Sequence, residues 1–234
     1  MPIRFRVFIF AVATVIFAQA FAQKLPWRAK EEDALGGATR VLLVPPDVHV
    51  EKWTATTGSE TSATADHLRR TMCGEMDDLF EQRKLLVSDY MLCLEEGEST
   101  RERIDAIRAV QARFRELVTA WSKPGHHSDL LPSFHLGEEL AATRKFEADV
   151  MIVVTADGTL TTKGEKALAA VGGIAGGPGS GQGLMLHFGI IRARTGDLLF
   201  FSEKFVGGDF LKHPEGLEKA IQKSVQAAFA PQSK

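Results

Sequence analysis

Residues 171–183 read VGGIAGGPGSGQG, seven glycines in thirteen positions, and form the most unusual stretch of this sequence. Glycine lets a backbone approach phosphate oxygens closely, so Gly176, Gly177, Gly179, Ser180 and Gly181 are the candidate ligand or partner loop. A phosphate loop, however, needs Gly-Lys-Ser/Thr at the start of a helix, and here Ser180 is followed by Gly181-Gln182 and a strand-like run. A dinucleotide loop leads from strand into helix, whereas this one leads out of a helix-like stretch toward a strand. A nucleophile elbow needs glycine two residues either side of its serine, and Pro178 holds one of those places. The segment therefore reads first as a connector. Because Ala167 to Ala175 is small and apolar, a partner-binding or membrane-touching loop stays open beside it, as does a ligand loop.

The second group is His126, His127, Asp129 and His135, whose imidazoles and carboxylate suit zinc or copper. Adjacent histidines on an extended chain point to opposite faces, and no H-E-x-x-H pattern gathers the set on one helix, so solvated loop histidines are expected. The third is Glu75, Asp77 and Asp78, which could act as acid–base carboxylates but fall opposite an apolar helix stripe. Serine, histidine and aspartate are all present without a local signature that ties them into a triad. The fourth is Cys73 and Cys93, the only two cysteines. They are a candidate disulfide in an oxidising compartment, with two buried thiols as the alternative. Neither CxxC nor CxxCH occurs, which argues against thiol-redox chemistry and covalent haem. No cofactor, metal or catalytic residue is expected.

The elements that must carry these residues alternate in type. Arg40 to Val44 is a compact aliphatic run stopped by Pro45-Pro46, the pattern of a buried strand ending at a turn. Thr54 to Thr64 reads as a loop. A helix follows with Leu68, Met72, Met76, Leu79 and Phe80 along one face. Lys84 to Cys93 reads as extended. Ser99 or Thr100 then caps a second helix whose stripe is Ile104, Ile107, Val110, Phe114, Leu117 and Trp121, ended by Pro124-Gly125. A short helix is expected near 136–147. Ala148 to Thr155 is apolar on both faces and belongs in mid-sheet, with Asp157-Gly158 as its turn. Two further strands, 184–193 and 198–206, flank Arg194-Thr195-Gly196-Asp197 as a hairpin. Pro214 opens a final helix with Leu217, Ile221, Val225 and Phe229 on one face. The expected fold is an α/β sandwich of two or three layers with a mixed sheet, a C-terminal β-hairpin and a final helix.

The amino-terminal segment predicts a place outside the cytoplasm. Arg4 and Arg6 precede the uncharged, mostly apolar run 7–22, which ends Ala20-Phe21-Ala22 before Gln23. That is a cleavable signal peptide, too short for a membrane span of about 20 residues, with cleavage expected after Ala22. No cysteine stands at the cleavage site, so no lipid acceptor is expected, and a periplasmic or secreted product is expected. Removing the two arginines from 28 basic residues leaves 26 against 30 acidic ones, a charge near −4. Such a balance has no footprint for nucleic acid. Residues 23–38 read as a flexible lead-in and 39–230 as one α/β domain.

Two segments carry a resemblance. Ala148-Asp-Val-Met-Ile-Val-Val154, followed by Ile191-Arg-Ala-Arg-Thr-Gly-Asp-Leu-Leu-Phe200, resembles a pattern of bacterial envelope proteins in which an alanine-aspartate-apolar strand precedes a Thr-Gly-acid hairpin. With Arg40 to Pro46, the chain is similar to a family of exported or lipid-anchored proteins without an assigned activity. More distantly it resembles the anticodon-binding-domain-like α/β fold of the curli secretion channel subunit, of peptidoglycan synthase activator lipoproteins and of the N-terminal domain of Tol translocation protein B. The resemblance implies a non-catalytic role in envelope assembly through a protein partner. It carries over no functional residue. The membrane strands of the pore-forming relatives find no counterpart in residues 164–183; membrane contact stays open, and no span is expected in the mature chain.

Overall fold

The run at 150–156 divides its side chains between two cores, as a strand covered on both faces must. Val150, Ile152, Val154 and Ala156 enter one core, and Met151 and Val153 enter the other. The computed structural model describes residues 26–29, 38–53, 58–60, 62–88, 101–123, 129–161, 183–208, 210–211 and 214–229. Its strands are β1 (Trp27–Arg28), β2 (Arg40–Leu43), β3 (Asp47–Trp53), β4 (Gly58–Glu60), β5 (Leu86–Ser88), β6 (Val150–Thr161), β7 (Gly183–Arg192) and β8 (Leu198–Gly207). They form a mixed sheet ordered β1-β8-β7-β6-β2-β5, with β3 also on β6 and β4 on β3. β2 and β3 run parallel to β6, β5 parallel to β2, and β7 and β8 complete an antiparallel meander.

Helices cover both faces. α1 (Ser62–Gln82) and α4 (Glu215–Phe229) lie on one, α2 (Arg101–Trp121) and α3 (Glu139–Thr143) on the other, so the sandwich has three layers. Phe80 of α1 meets Phe229 of α4 edge-on at 6.4 Å. Leu68, Met72 and Met76 of α1 are fully buried at the expected i, i+4 spacing, and Ile107, Val110, Phe114 and Leu117 of α2 are buried three or four apart, whereas Ile104 of the same expected stripe is exposed. The short helix near 136–147 is Glu139–Thr143 continued by a 3₁₀ turn, Arg144–Phe146.

Three local expectations need correction. Pro45-Pro46 does not end the strand's path. Proline has no N–H to give the ladder, yet the chain resumes as β3 along the same partner β6. Leu43 faces Ile152 and Asp47 faces Thr155, four residues opposite three, and the extra residue brings the alternation back into phase. The two proline carbonyls are capped from opposite helix layers, Pro45 by Gln111 Nε2 at 2.6 Å and Pro46 by Arg69 Nε at 3.1 Å. Asp157-Gly158 is not a turn either: β6 runs through it to Thr161, opposite Met185 and Leu184. A Cβ on Gly158 would meet Leu184 and Phe210, so glycine serves close packing there. Finally, Gly58–Glu60 within the expected 54–64 loop is strand β4, paired with Glu51, Lys52 and Trp53. The lead-in also contributes, since Trp27 and Arg28 pair with Phe201 and Phe200 and Trp27 packs on the α2-side core.

Candidate functional site

Four polar residues stand side by side across four neighbouring strands on the face beneath α2. Asp47 of β3 is opposite Thr155 of β6, Thr155 opposite His187 of β7, and His187 opposite Glu203 of β8. His49 and Asp157 form the next pair along the same face. The last turns of α2 supply Arg115 and Trp121, while Phe114 and Val118 fill the core between them.

Arg115 joins the row to the helix. Its Nε donates to Asp47 Oδ2, its Nη1 to Asp157 Oδ1 at 2.8 Å, and its Nη2 to the Asp47 carbonyl at 3.2 Å. The other Asp47 oxygen lies 3.1 Å from His49 Nε2. Partial burial works against the charge on Arg115. Hydrogen bonds to Asp47 and then Asp157 outweigh it and hold the guanidinium's pKa above its ordinary value. At the other end, Trp121 Nε1 donates to Glu203 Oε2 at 3.0 Å, and His187 Nε2 lies 3.5 Å from the same oxygen. His187 is 3% exposed and stacks on Phe201 at 6.0 Å. Its Nδ1 and Thr155 Oγ1 are buried without a hydrogen-bond partner among the described residues. They belong to directly opposed residues of β6 and β7. Chemically the row is an electrostatic clasp: two carboxylates share one guanidinium, and a third accepts an indole N–H.

The residues singled out by sequence disperse. Gly176, Gly177, Gly179, Ser180 and Gly181 lie outside the described residues, as do His126 and His127. His135 Nδ1 is 3.2 Å from Asp197 Oδ1, and its carbonyl accepts from Arg113 Nε at 3.3 Å, which ties it to the hairpin turn. The Asp129 carbonyl accepts the Ser133 hydroxyl at 2.6 Å. Among the described residues no three His, Cys, Asp or Glu side chains are placed to share a metal ion. Glu75 is half-buried; burial first, then the charges of Glu218 and Asp78, push its pKa up. Cys73 is fully buried on α1 and disulfide-bonded, and Cys93, the chain's other cysteine, lies outside the described residues.

Asp47, Arg115, Thr155, Glu203 and Trp121 are not among the candidate site residues that the sequence singles out. A signal existed in part. A lone histidine inside Gly-Leu-Met-Leu-His-Phe-Gly-Ile-Ile and a threonine closing Val-Met-Ile-Val-Val-Thr are polar breaks in strands otherwise apolar on both faces.

Two features of the resemblance motif, Asp149 and the turn at Gly196, have structural work. Asp149 Oδ2 accepts from the Thr39 N–H at 2.8 Å, the Arg40 N–H at 2.9 Å and the Thr39 hydroxyl at 3.2 Å, fixing where β2 starts beside β6. Gly196 takes φ +82° in the turn, where Arg192 N–H reaches the Asp197 carbonyl at 2.8 Å. The backbone N–H of Thr39 and then of Arg40 hold the Asp149 carboxylate's pKa below its ordinary value. A lowered folded-state pKa contributes stability above the unfolded value of about 3.9, and that contribution fades as pH falls through the folded value. Asp149→Asn is therefore expected to lose about 1 kcal/mol at pH 7, the side chain being exposed. Denaturation midpoints measured from pH 7 down to pH 3 should converge for the two proteins. A constant gap across that range would contradict the assignment.

No family model matches the chain, and no curated protein matches it in sequence. Solved structures offer loose likenesses. The lipoprotein GNA1162 from Neisseria meningitidis aligns at TM-score 0.36 and 10% identity, over 84% of this chain and 99% of that one. The hypothetical protein CT253 from Chlamydia trachomatis aligns at 0.36 and 11%, over 82% and 97%. The C-terminal domain of LpoB from Salmonella enterica aligns at 0.30 and 10%, over 73% and 83%. Alignments this loose transfer no residue, partner or activity. No helix among the described residues is long and apolar enough to cross a membrane.

Proposed function

We propose that this chain is an exported, non-catalytic interaction module of the bacterial cell envelope, periplasmic or secreted, acting through a protein partner. The observation that carries the reading is the use made of the polar row. Its charged groups are engaged with one another and hold α2 on the sheet, which is the work of a scaffold. The amino-terminal segment with its Ala-Phe-Ala site supports export. The disulfide on Cys73 suits an oxidising compartment. On this reading the bridge joins Cys73 to Cys93, and peptide mapping without reduction should recover the two in one linked fragment. Recovery of both as alkylated free thiols from the exported protein would refute the pairing.

Phe205 offers the place to look for the partner. It is 41% exposed on β8, on the α2 side of the sheet, with its ring laid against Gly183 and Gly207. Aromatic side chains are enriched at protein interfaces relative to the rest of the surface. A photo-crosslinking residue at position 205 in the living envelope should give one discrete protein adduct. The same probe at the exposed Lys223 of α4 should give none. Stoichiometric metal or nucleotide in the purified mature protein, with turnover, would replace this reading with a catalytic one.

A further inference from the structure

A second feature of the molecule lies at the opposite end of β6 from His49 and Asp157, and it is independent of the interaction reading. The 3₁₀ turn Arg144–Phe146 and the hairpin turn after β7 are drawn together there by the start of β6. The Ala193 N–H donates to the Asp149 carbonyl at 3.0 Å, and the Asp149 N–H to the Arg40 carbonyl at 2.9 Å. Between them opens a cleft of about 440 Å³ lined by Thr143, Arg144, Ala148, Ala193 and Arg194. Two arginines and no acidic residue are among the residues that line it.

The acids nearby are committed elsewhere. Glu147, in a left-handed conformation at φ 49°, pairs with Arg40 at 3.2 Å, and the Asp149 carboxylate is held by Thr39 and Arg40. Asp197 is held by His135. The Thr143 hydroxyl donates to the Leu140 carbonyl at 2.9 Å, so it competes for no ligand proton acceptor. Among the described residues neither Arg144 nor Arg194 has an ion-pair or hydrogen-bond partner for its side chain. Two like charges lining one cleft repel, and an anion between them removes the repulsion while accepting forked N–H donors from both.

We propose that this cleft binds an oxyanion, a carboxylate or phosphate group, clamped between Arg144 and Arg194. The alanine walls of Ala148 and Ala193 leave room for the small apolar or sugar-like body that carries such a group, within the usual size of a ligand site. The anion belongs either to a free small molecule or to an anionic lipid headgroup.

Calorimetric titration of the full mature chain at low ionic strength with inorganic phosphate, and separately with citrate, tests the site. Saturable binding is expected, weakened about tenfold by either Arg144→Ala or Arg194→Ala. Arg70→Ala, on the exposed face of α1, should leave it unchanged, and circular dichroism melts confirm that each variant folds. Co-sedimentation with phosphatidylglycerol vesicles against phosphatidylcholine vesicles separates the two sources. Loss of vesicle binding in Arg194→Ala marks a headgroup, and phosphate binding without vesicle binding marks a free anion. Titration that follows ionic strength alone, or that is unaltered in both arginine variants, overturns the proposal.

Discussion

Gly189→Ala is expected to destabilise the protein by about 3 kcal/mol, at the upper end of the usual cost of overpacking a core. Gly189 lies in β7, opposite Val153 and Phe201, at the point where α2 presses closest to the sheet. A Cβ there would clash with the ring edge of Phe114, at Cε2 and Cζ. That ring cannot withdraw: it is fully buried, edge-on to Phe134 at 6.5 Å and tilted against Phe201 at 6.2 Å. A methyl group must therefore lift α2 or force Phe114 off its rotamer, and either loosens the packing above the polar row. For a chain of this size the melting temperature should fall by about 8 °C. Phe114→Leu in the same background should recover part of the loss, because the smaller side chain vacates the clash. The coupling between the two sites is expected at about 1–2 kcal/mol in a double-mutant cycle. A Gly189→Ala protein that melts within 1 °C of the parent would show that α2 does not sit as described.

Arg115→Met should cost about 2 kcal/mol. Removing one partner of a fully buried ion pair costs about 3–5 kcal/mol because the remaining charge is left uncompensated. Here the side chains of Arg115 and Asp47 are 28% and 21% exposed, so solvent screens part of that penalty. Methionine keeps most of the apolar stem, which separates the charge from the packing. Adding Asp47→Asn and Asp157→Asn to the variant removes the stranded carboxylates and should return about half of the loss. Hydrogen exchange gives the structural reading: amides in the last two turns of α2 should lose protection in Arg115→Met and regain it in the triple variant. Unchanged protection would mean that the aromatic contacts of Phe114 and Trp121 hold the helix without the clasp.

The elements were legible where one periodicity ran without interruption. The stripes of α1, α2 and α4 and the β7–β8 hairpin follow from 3.6- and 2-residue spacing, because side-chain direction along a regular backbone is a local property. Breaker signals were read less well. Pro45-Pro46 and Asp157-Gly158 both look like chain ends, since proline lacks a donor and Asp-Gly favours turns. In the protein the first is bridged by Gln111 and Arg69 from two helices, and the second is held straight by the eight other paired positions between β6 and β7. Both outcomes depend on partners more than twenty residues away along the chain, which no local window contains.

The candidate site divides in the same way. His187 and Thr155 were visible as polar breaks in apolar strands, but nothing in their neighbourhood names Asp47, Glu203 or Arg115 as companions. Strand pairing sets the row, and strand pairing is a property of the folded sheet. The resemblance motif met the opposite fate: its aspartate and its Thr-Gly-acid turn stand out in the sequence, and the structure spends them on positioning β2 and closing a hairpin.

By itself the sequence determined the class of fold, the helices with their buried faces, the β7–β8 hairpin and the expectation of export, because each of these is written in short-range pattern and composition. Only the tertiary structure decided that the sandwich has three layers, that β2 and β3 share one partner strand, and that Arg115 ties two distant aspartates to a helix. Those features are set by which surfaces meet. Burial on both faces of one sheet makes that choice, and it acts between residues that are far apart along the chain.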